Sequence, residues 1–281
     1  MKKWGCFFIL LMIFSCQHEK NESVLANLPN ILKEVSGNEV LKNSSLIWMI
    51  NDSGNSSDVY GVNRLGEIKK TLKINAKNHD WEDLSSDENG NLYIGDFGNN
   101  SNTRKNLRIL KVASSDLSKN KAKAEIIEFK FENQHDFPPK KSQFSFDAEA
   151  FFYFQKHFYI FTKSRIPDIF GETLLYKIPA KKGKHKAIYI GKFFNGKENA
   201  SWITGADISD DGKTVALLSQ KNVLLFSDFT GDDFFSGTLK IIPFIKQTQK
   251  EGICFANNKT LLLTDEKYMF KGGNLYEFPI K

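Results

Sequence analysis

The sequence predicts an all-β protein closed into a ring of repeated four-stranded units. Two observations carry that expectation. Short apolar runs rich in Phe, Ile, Tyr, Val and Leu, separated by clusters of Asn, Asp, Gly and Ser, dominate the chain, and helical periodicity is nearly absent. A single phrase also recurs roughly every forty to fifty residues: an acidic or polar residue, an apolar strand, a polar turn, a second apolar strand, and another polar residue. Short-strand repeats of that length build radial or stacked architectures, and the form that fits here is a β-propeller.

The first unit opens at Glu34-Val35-Ser36-Gly37 and continues through Leu46 to Asp52, Val59 to Val62 and Glu67 to Leu72. The second begins at Trp81-Glu82-Asp83-Leu84 and passes through Asn91 to Asp96, Leu107 to Val112 and Ala124 to Lys130. Asp147-Ala148-Glu149-Ala150-Phe151 starts the third, followed by Phe158 to Lys163, Thr173 to Ile178 and Ala187 to Ile190. The fourth starts at Thr204-Gly205-Ala206-Asp207-Ile208 and includes Val215 to Ser219, Asn222 to Phe226 and Thr238 to Ile242. The fifth runs from Glu251-Gly252-Ile253-Cys254-Phe255 through Leu261 to Asp265 and Asn274 to Phe278, one strand short. An N-terminal strand drawn from Val24 to Leu32 would complete it and hide both free edges. The expectation is five blades, with six as the alternative if the linker from His135 to Phe146 hides strands. Hairpin turns at Asp87-Glu88-Asn89-Gly90, Asp210-Asp211-Gly212 and Ala256-Asn257-Asn258 use residues that tolerate positive φ.

The N-terminus reads as a targeting segment. Lys2 and Lys3 precede an apolar run, Phe7 to Phe14, that is too short to span a bilayer. Ile13-Phe14-Ser15-Cys16 resembles a lipobox, with Cys16 as the lipidated residue. The expected organisation is therefore a lipoprotein signal peptide at 1–16, a polar tether at 17–27 and a single propeller domain at 28–281, anchored to a membrane of the cell envelope, the outer membrane first. Cys6 lies in the signal, so Cys254 is alone in the mature domain and an intrachain disulfide is ruled out. Loss of Lys2 and Lys3 lowers the formal charge from +6 to about +4. The lysines are scattered through turns, without the basic stripe that tracks nucleic acid, so no nucleic-acid partner is expected.

In a propeller the innermost strands line the central channel, so Glu82, Glu149 and Glu251 should converge. Close carboxylates raise one another's pKa, and a hard divalent cation resolves the repulsion. Calcium, which takes six to eight oxygens, fits better than zinc, because the histidines are few and dispersed. The other reading has each glutamate paired with a lysine or amide of the neighbouring blade, stapling the ring.

The phrases Glu34-Val35-Ser36-Gly37, Trp81-Glu82-Asp83-Leu84, Asp147-Ala148-Glu149-Ala150 and Glu251-Gly252-Ile253 resemble those of the calcium-activated nucleotidases, the apyrases, a family of five-bladed propellers with an axial calcium, and more loosely those of other secreted propellers, phytase-like esterase domains and bacterial lipoproteins among them. The resemblance implies calcium ligands at Ser36, Glu82, Glu149 and Glu251. The family's fourth-blade serine is replaced here by Thr204, the remaining candidate ligand, with Asp207 nearby. It further implies a nucleotide-binding rim, to which Asp52, Lys163-Ser164-Arg165 and Ser219 are similar, although the segment Gly95 to Asn102 departs from the family's loop.

The second strand of each unit returns to the same end, which places Asp52 and Asp96 where a metal-bound water would be oriented. The same rim puts Arg104, Lys163, Arg165 and Lys267 where phosphate oxygens would be neutralised. Asn51 to Asp58 is oxygen-rich but lacks the terminal glutamate of an EF-hand, and the histidines show no metal-binding spacing. The sequence thus supports a binding or scaffold propeller with an axial cation site, whose partner is an anionic small molecule or an envelope protein. The alternative is a calcium-dependent hydrolase of nucleotides or other phosphorylated small molecules.

Overall fold

The computed structural model describes residues 22–42 and 44–280. The signal segment, Cys16 and the first part of the tether lie outside the described residues. The described chain opens with strand β1 (Ser23–Asn27). An antiparallel quartet follows: β2 (Val35–Val40), β3 (Ile47–Asn51), β4 (Asp58–Val62) and β5 (Ile68–Ile74). The second quartet is β6 (Trp81–Ser86), β7 (Leu92–Asp96) and β8 (Leu107–Val112), then, after the short β9 (Lys121–Ala122), β10 (Glu125–Phe131). The third is β11 (Asp147–Phe154), β12 (His157–Lys163), β13 (Glu172–Pro179) and β14 (Gly183–Phe194). The fourth is β15 (Ile203–Ile208), β16 (Thr214–Ser219), β17 (Asn222–Ser227) and β18 (Thr238–Pro243). The last comprises β19 (Lys250–Asn257), β20 (Thr260–Asp265) and β21 (Asn274–Pro279), completed by β1 on its outer edge.

The N-terminal strand lies earlier than the sequence pattern suggests, inside the stretch read as tether. Pro29 has no amide hydrogen to give a ladder, so pairing stops at Asn27, and Asn30–Leu32 turns as a short 3-10 segment that buries Leu32. The linker 135–146 holds only a 3-10 turn, Lys141–Gln143, among the described residues. Two outer-edge pairings have no signature in the sequence. β9 adds in parallel to β5, and β10 adds in parallel to β14, which joins the second and third quartets into one eight-stranded sheet.

The inner strands close on themselves: β2 neighbours β6, β6 neighbours β11, β11 neighbours β15, β15 neighbours β19, and β19 returns to β2. Among the described residues the apolar side chains gather in five clusters, each in the seam between consecutive quartets. This explains why the second strands are apolar almost throughout. On β12, Phe158 and Ile160 enter one seam while Tyr159 and Phe161 enter the next; on β16, Val215 and Leu217 face one seam and Ala216 and Leu218 the other. A strand sandwiched between two seams has no wet face, and its period of two sorts residues between two cores instead of between core and water. The protein is an all-β propeller. No helix among the described residues is long and apolar enough to cross a membrane.

Candidate functional site at the channel mouth

Each inner strand breaks its ladder register once near its start. The extra residues are Ser36 on β2, Glu82 on β6, Glu149 on β11, Thr204 on β15 and Glu251 on β19. A bulge re-aims the side chain it carries and is a recurrent device beside functional sites. The five residues singled out by the repeated phrase therefore hold one equivalent backbone position, the fourth unit's Thr204 included. Two of them also tie the ring together. Ser36 Oγ donates to the Trp81 carbonyl at 2.8 Å and Thr204 Oγ1 to the Lys250 carbonyl at 2.8 Å, in each case to the residue just before the next unit's bulged glutamate.

Two residues upstream of each bulge, and so on the same face, stand Glu34, Asp80, Asp147, Trp202 and Gln249. One residue past the partner of the residue that precedes each bulge come Asp52, Phe97, Lys163, Gln220 and Glu266, of which Lys163 is still paired, with Asp147. The result is a mouth crowded with carboxylates around one central ammonium. Lys163 Nζ lies 2.8 Å from Glu149 Oε2. Burial alone would lower its pKa, but Glu149, then Glu251, Asp147 and Glu82, outweigh that cost and hold it above the ordinary lysine range. Lys163 and Arg165 both lie over the Trp202 ring, at 5.2 and 5.3 Å from its centroid.

One ammonium leaves the acids under-neutralised. Burial, then Glu149 and Asp80, pushes Glu82 well above the usual carboxylate range. Burial raises Glu149 and Glu251 against the pull of Lys163. Asp52 is pushed up to about 7 by burial and then by Glu34 and Asp80, and Glu266 to about 8 by burial and then by Glu251, Asp52 and Glu34. The backbone comes close to this cluster at Gly98, where a Cβ would overlap Glu82 Oε1 and Asp80 Oδ2.

The structure revises several sequence expectations. Asp96, expected to orient water, is fully buried: Arg108 Nε donates to its Oδ2 at 2.8 Å, and Arg104 Nη2 and the Asp80 amide donate to its Oδ1, each at 3.2 Å. In register it matches Asn51, Thr162, Ser219 and Asp265, all buried, and not Asp52. The cations expected to hold phosphate are engaged within the fold. Arg104 also binds the Gly98 carbonyl at 2.7 Å, Arg165 Nε binds Asp147 Oδ2 at 2.7 Å, Lys163 sits on Glu149, and Lys267 Nζ reaches Asn30 Oδ1 at 2.7 Å. Among the described residues, no three His, Cys, Asp or Glu side chains stand at metal-holding spacing in this arrangement. Asp80 and Trp202 escaped the sequence reading, although counting back two positions from each bulge reaches both.

Solved structures similar to this chain include the PQQ-bound aldose sugar dehydrogenase of Streptomyces coelicolor, 9% identical over 92% of this chain and 98% of that one, with a TM-score of 0.54. They also include a gluconolactonase of Xanthomonas campestris, 10% identical over 88% of this chain and 72% of that one, TM-score 0.46. A third is virginiamycin B lyase of Staphylococcus aureus, 14% identical over 90% of this chain and 69% of that one, TM-score 0.43. At 9% identity the likeness to the dehydrogenase is one of fold. No family model matches the chain, and the search of curated proteins found no match.

Proposed function

We propose that this chain is a propeller binding module of the cell envelope, anchored through lipidated Cys16, whose acidic mouth takes up a divalent cation, calcium by the chemistry of its donors. The observation that carries the reading is the charge imbalance at the mouth: Glu82, Glu149, Asp52 and Glu266 are raised by burial and by neighbouring carboxylates, and Glu251 by burial, with Lys163 the cation at their centre. The donors are hard oxygens, which suit calcium, and the hydroxyls of Ser36 and Thr204 keep lone pairs free while their protons are bonded. Ammonium and metal ion compete for the same carboxylates in this reading. A bound cation would in turn give an anionic small molecule or an envelope protein its point of attachment.

Calcium should raise the melting temperature of the purified protein, and a chelator should reverse the rise. Lys163→Met, which removes the competitor, should enlarge the calcium response. Indifference of both proteins to calcium would sink the reading. A second reading, the calcium-dependent hydrolase that the apyrase resemblance implies, is favoured by Asp52, whose carboxyl titrates near neutrality at about 7, as a general acid or base requires. Calcium-dependent phosphate release from nucleoside di- or triphosphates, lost in Asp52→Asn, would support it; no release leaves the binding module.

A further inference from the structure

We propose that the opposite mouth of the ring is a second binding site, which takes a small organic cation with its ammonium on Glu39 and its carbon chain against Tyr153, Phe154 and Phe255. The two mouths are separate. One residue past each bulge the channel narrows to Gly37, Asp83, Ala150, Gly205 and Gly252. Asp83 spans this layer: it is fully buried, and its Oδ2 accepts from the Phe151 amide at 3.1 Å and from the Ala206 amide at 3.4 Å, so it ties the second unit to the third and the fourth. A Cβ at Gly37 would lie 2.8 Å from the Asp83 Cα, which shows how closely the strands approach here.

Below that layer the inner strands open into a cavity of about 410 Å³, the size of a small-molecule site and far larger than a bare ion needs. Glu39 is 6% exposed and lines it. Its Oε1 accepts from Ser86 Oγ at 2.9 Å, and its other oxygen accepts no hydrogen bond among the described residues. Its carboxylate neighbour Asp207 is fixed differently: Oδ1 accepts from the Ile208 amide at 2.8 Å and Oδ2 from the Phe255 amide at 2.7 Å. One buried acid thus keeps an open acceptor on the cavity while both oxygens of its partner are bonded to backbone amides.

Among the described residues, no ammonium fills this mouth as Lys163 fills the other. Burial first, and then Asp207, Asp83 and Asp210, press the Glu39 carboxyl towards its neutral form, and a bound cation would relieve them. Lys42 and Lys156 border the cavity, but both are exposed at its edge, beside Asp87, Glu88 and Asp210. A divalent metal fits poorly. Asp207 and Asp87, the other buried carboxylates on this cavity, have their oxygens engaged by amides and by the Tyr93 hydroxyl, which leaves one open acceptor on Glu39, a match for a single ammonium more than for the six or more oxygens calcium takes. Aromatic faces beside a recessed carboxylate suit an alkylammonium, whose charge is held by the acid and whose methylenes and positive rim pack on the rings.

The test is isothermal titration of the purified protein with putrescine and spermidine, with calcium chloride and sodium chloride as ionic controls. Saturable binding of a diamine, about tenfold weaker in Glu39→Gln as expected for loss of a charge-assisted hydrogen bond, is the expected result. Tyr153→Ala should weaken binding independently and serves if Glu39→Gln melts early. The proposal is overturned if neither diamine binds at millimolar concentration, if Glu39→Gln binds as wild type does, or if calcium displaces the diamine.

Discussion

Lys163 is the basic member of a ring position otherwise filled by Asp52, Phe97, Gln220 and Glu266, and its ammonium is the counter-charge for acids contributed by three units. Breaking a buried pair leaves an uncompensated charge, which is costlier than the pair itself is stabilising. Lys163→Met should therefore lower unfolding free energy by about 3 kcal/mol in urea titrations at neutral pH without added metal. A loss below about 0.5 kcal/mol, the range of ordinary surface changes, would mean that the acids are already neutral without it. The sequence reading placed Asp52 and Asp96 at equivalent points. In the fold they are one residue out of step, and because strand residues alternate faces, that single step sends Asp52 to the mouth and Asp96 into the buried layer.

At the scale of the element, the bulge is the unit of construction. It turns the side chain at the start of each inner strand towards the axis, and at Ser36 and Thr204 it also supplies the hydroxyl that holds the next strand. Each of these bonds is neutral and buried, so Ser36→Ala and Thr204→Ala should each cost about 1 kcal/mol. They bridge different seams and share no partner, so the double variant should show the sum; a coupling energy above about 0.5 kcal/mol would mean that the mouth behaves as one network. Burial on both faces removes the alternation that would mark a strand, so strand existence was readable from the shortness of the apolar runs, the turn residues that bound them and their Phe, Ile, Tyr and Val content. The bulges were not, since an inserted residue changes pairing without changing composition.

For the whole molecule, the acids lining the channel set the response to pH. Asp52 and Asp207 are raised to about 7 and Glu266 to about 8, in each case chiefly by burial. In the unfolded chain the same groups titrate near about 4, so across the interval between, the folded protein binds more protons than the unfolded one. Their contribution to stability is fully present below the unfolded values and is lost as pH rises through the folded ones. Calorimetry should find a higher melting temperature near pH 5.5 than near pH 8, and Asp207→Asn should flatten the part of the decline below about pH 7. Carboxylates held low by lysine or serine partners, such as Glu198 at about 2 and Asp211, act in the opposite direction but in a more acidic range, so they leave this slope intact. A melting temperature that rises steadily from pH 5.5 to 8 would contradict the buried-acid picture.

Local patterning carried the architecture: short apolar runs, turn residues with tolerance for positive φ, and a phrase repeated around the chain are properties of neighbours in sequence, and they suffice to specify strands and their succession. They also marked Ser36, Glu82, Glu149, Thr204 and Glu251 as equivalent, because a repeat carries its own alignment. What those side chains meet is a matter of contacts between residues far apart in the chain. That Lys163 stands among the glutamates, that Asp96 is sealed by Arg104 and Arg108, and that Glu39 and Asp207 share a second cavity at the far mouth follow from how the units pack around the axis. Charge neutralisation acts through space over a few ångströms, and the order of residues along the chain does not encode which charges will come that close.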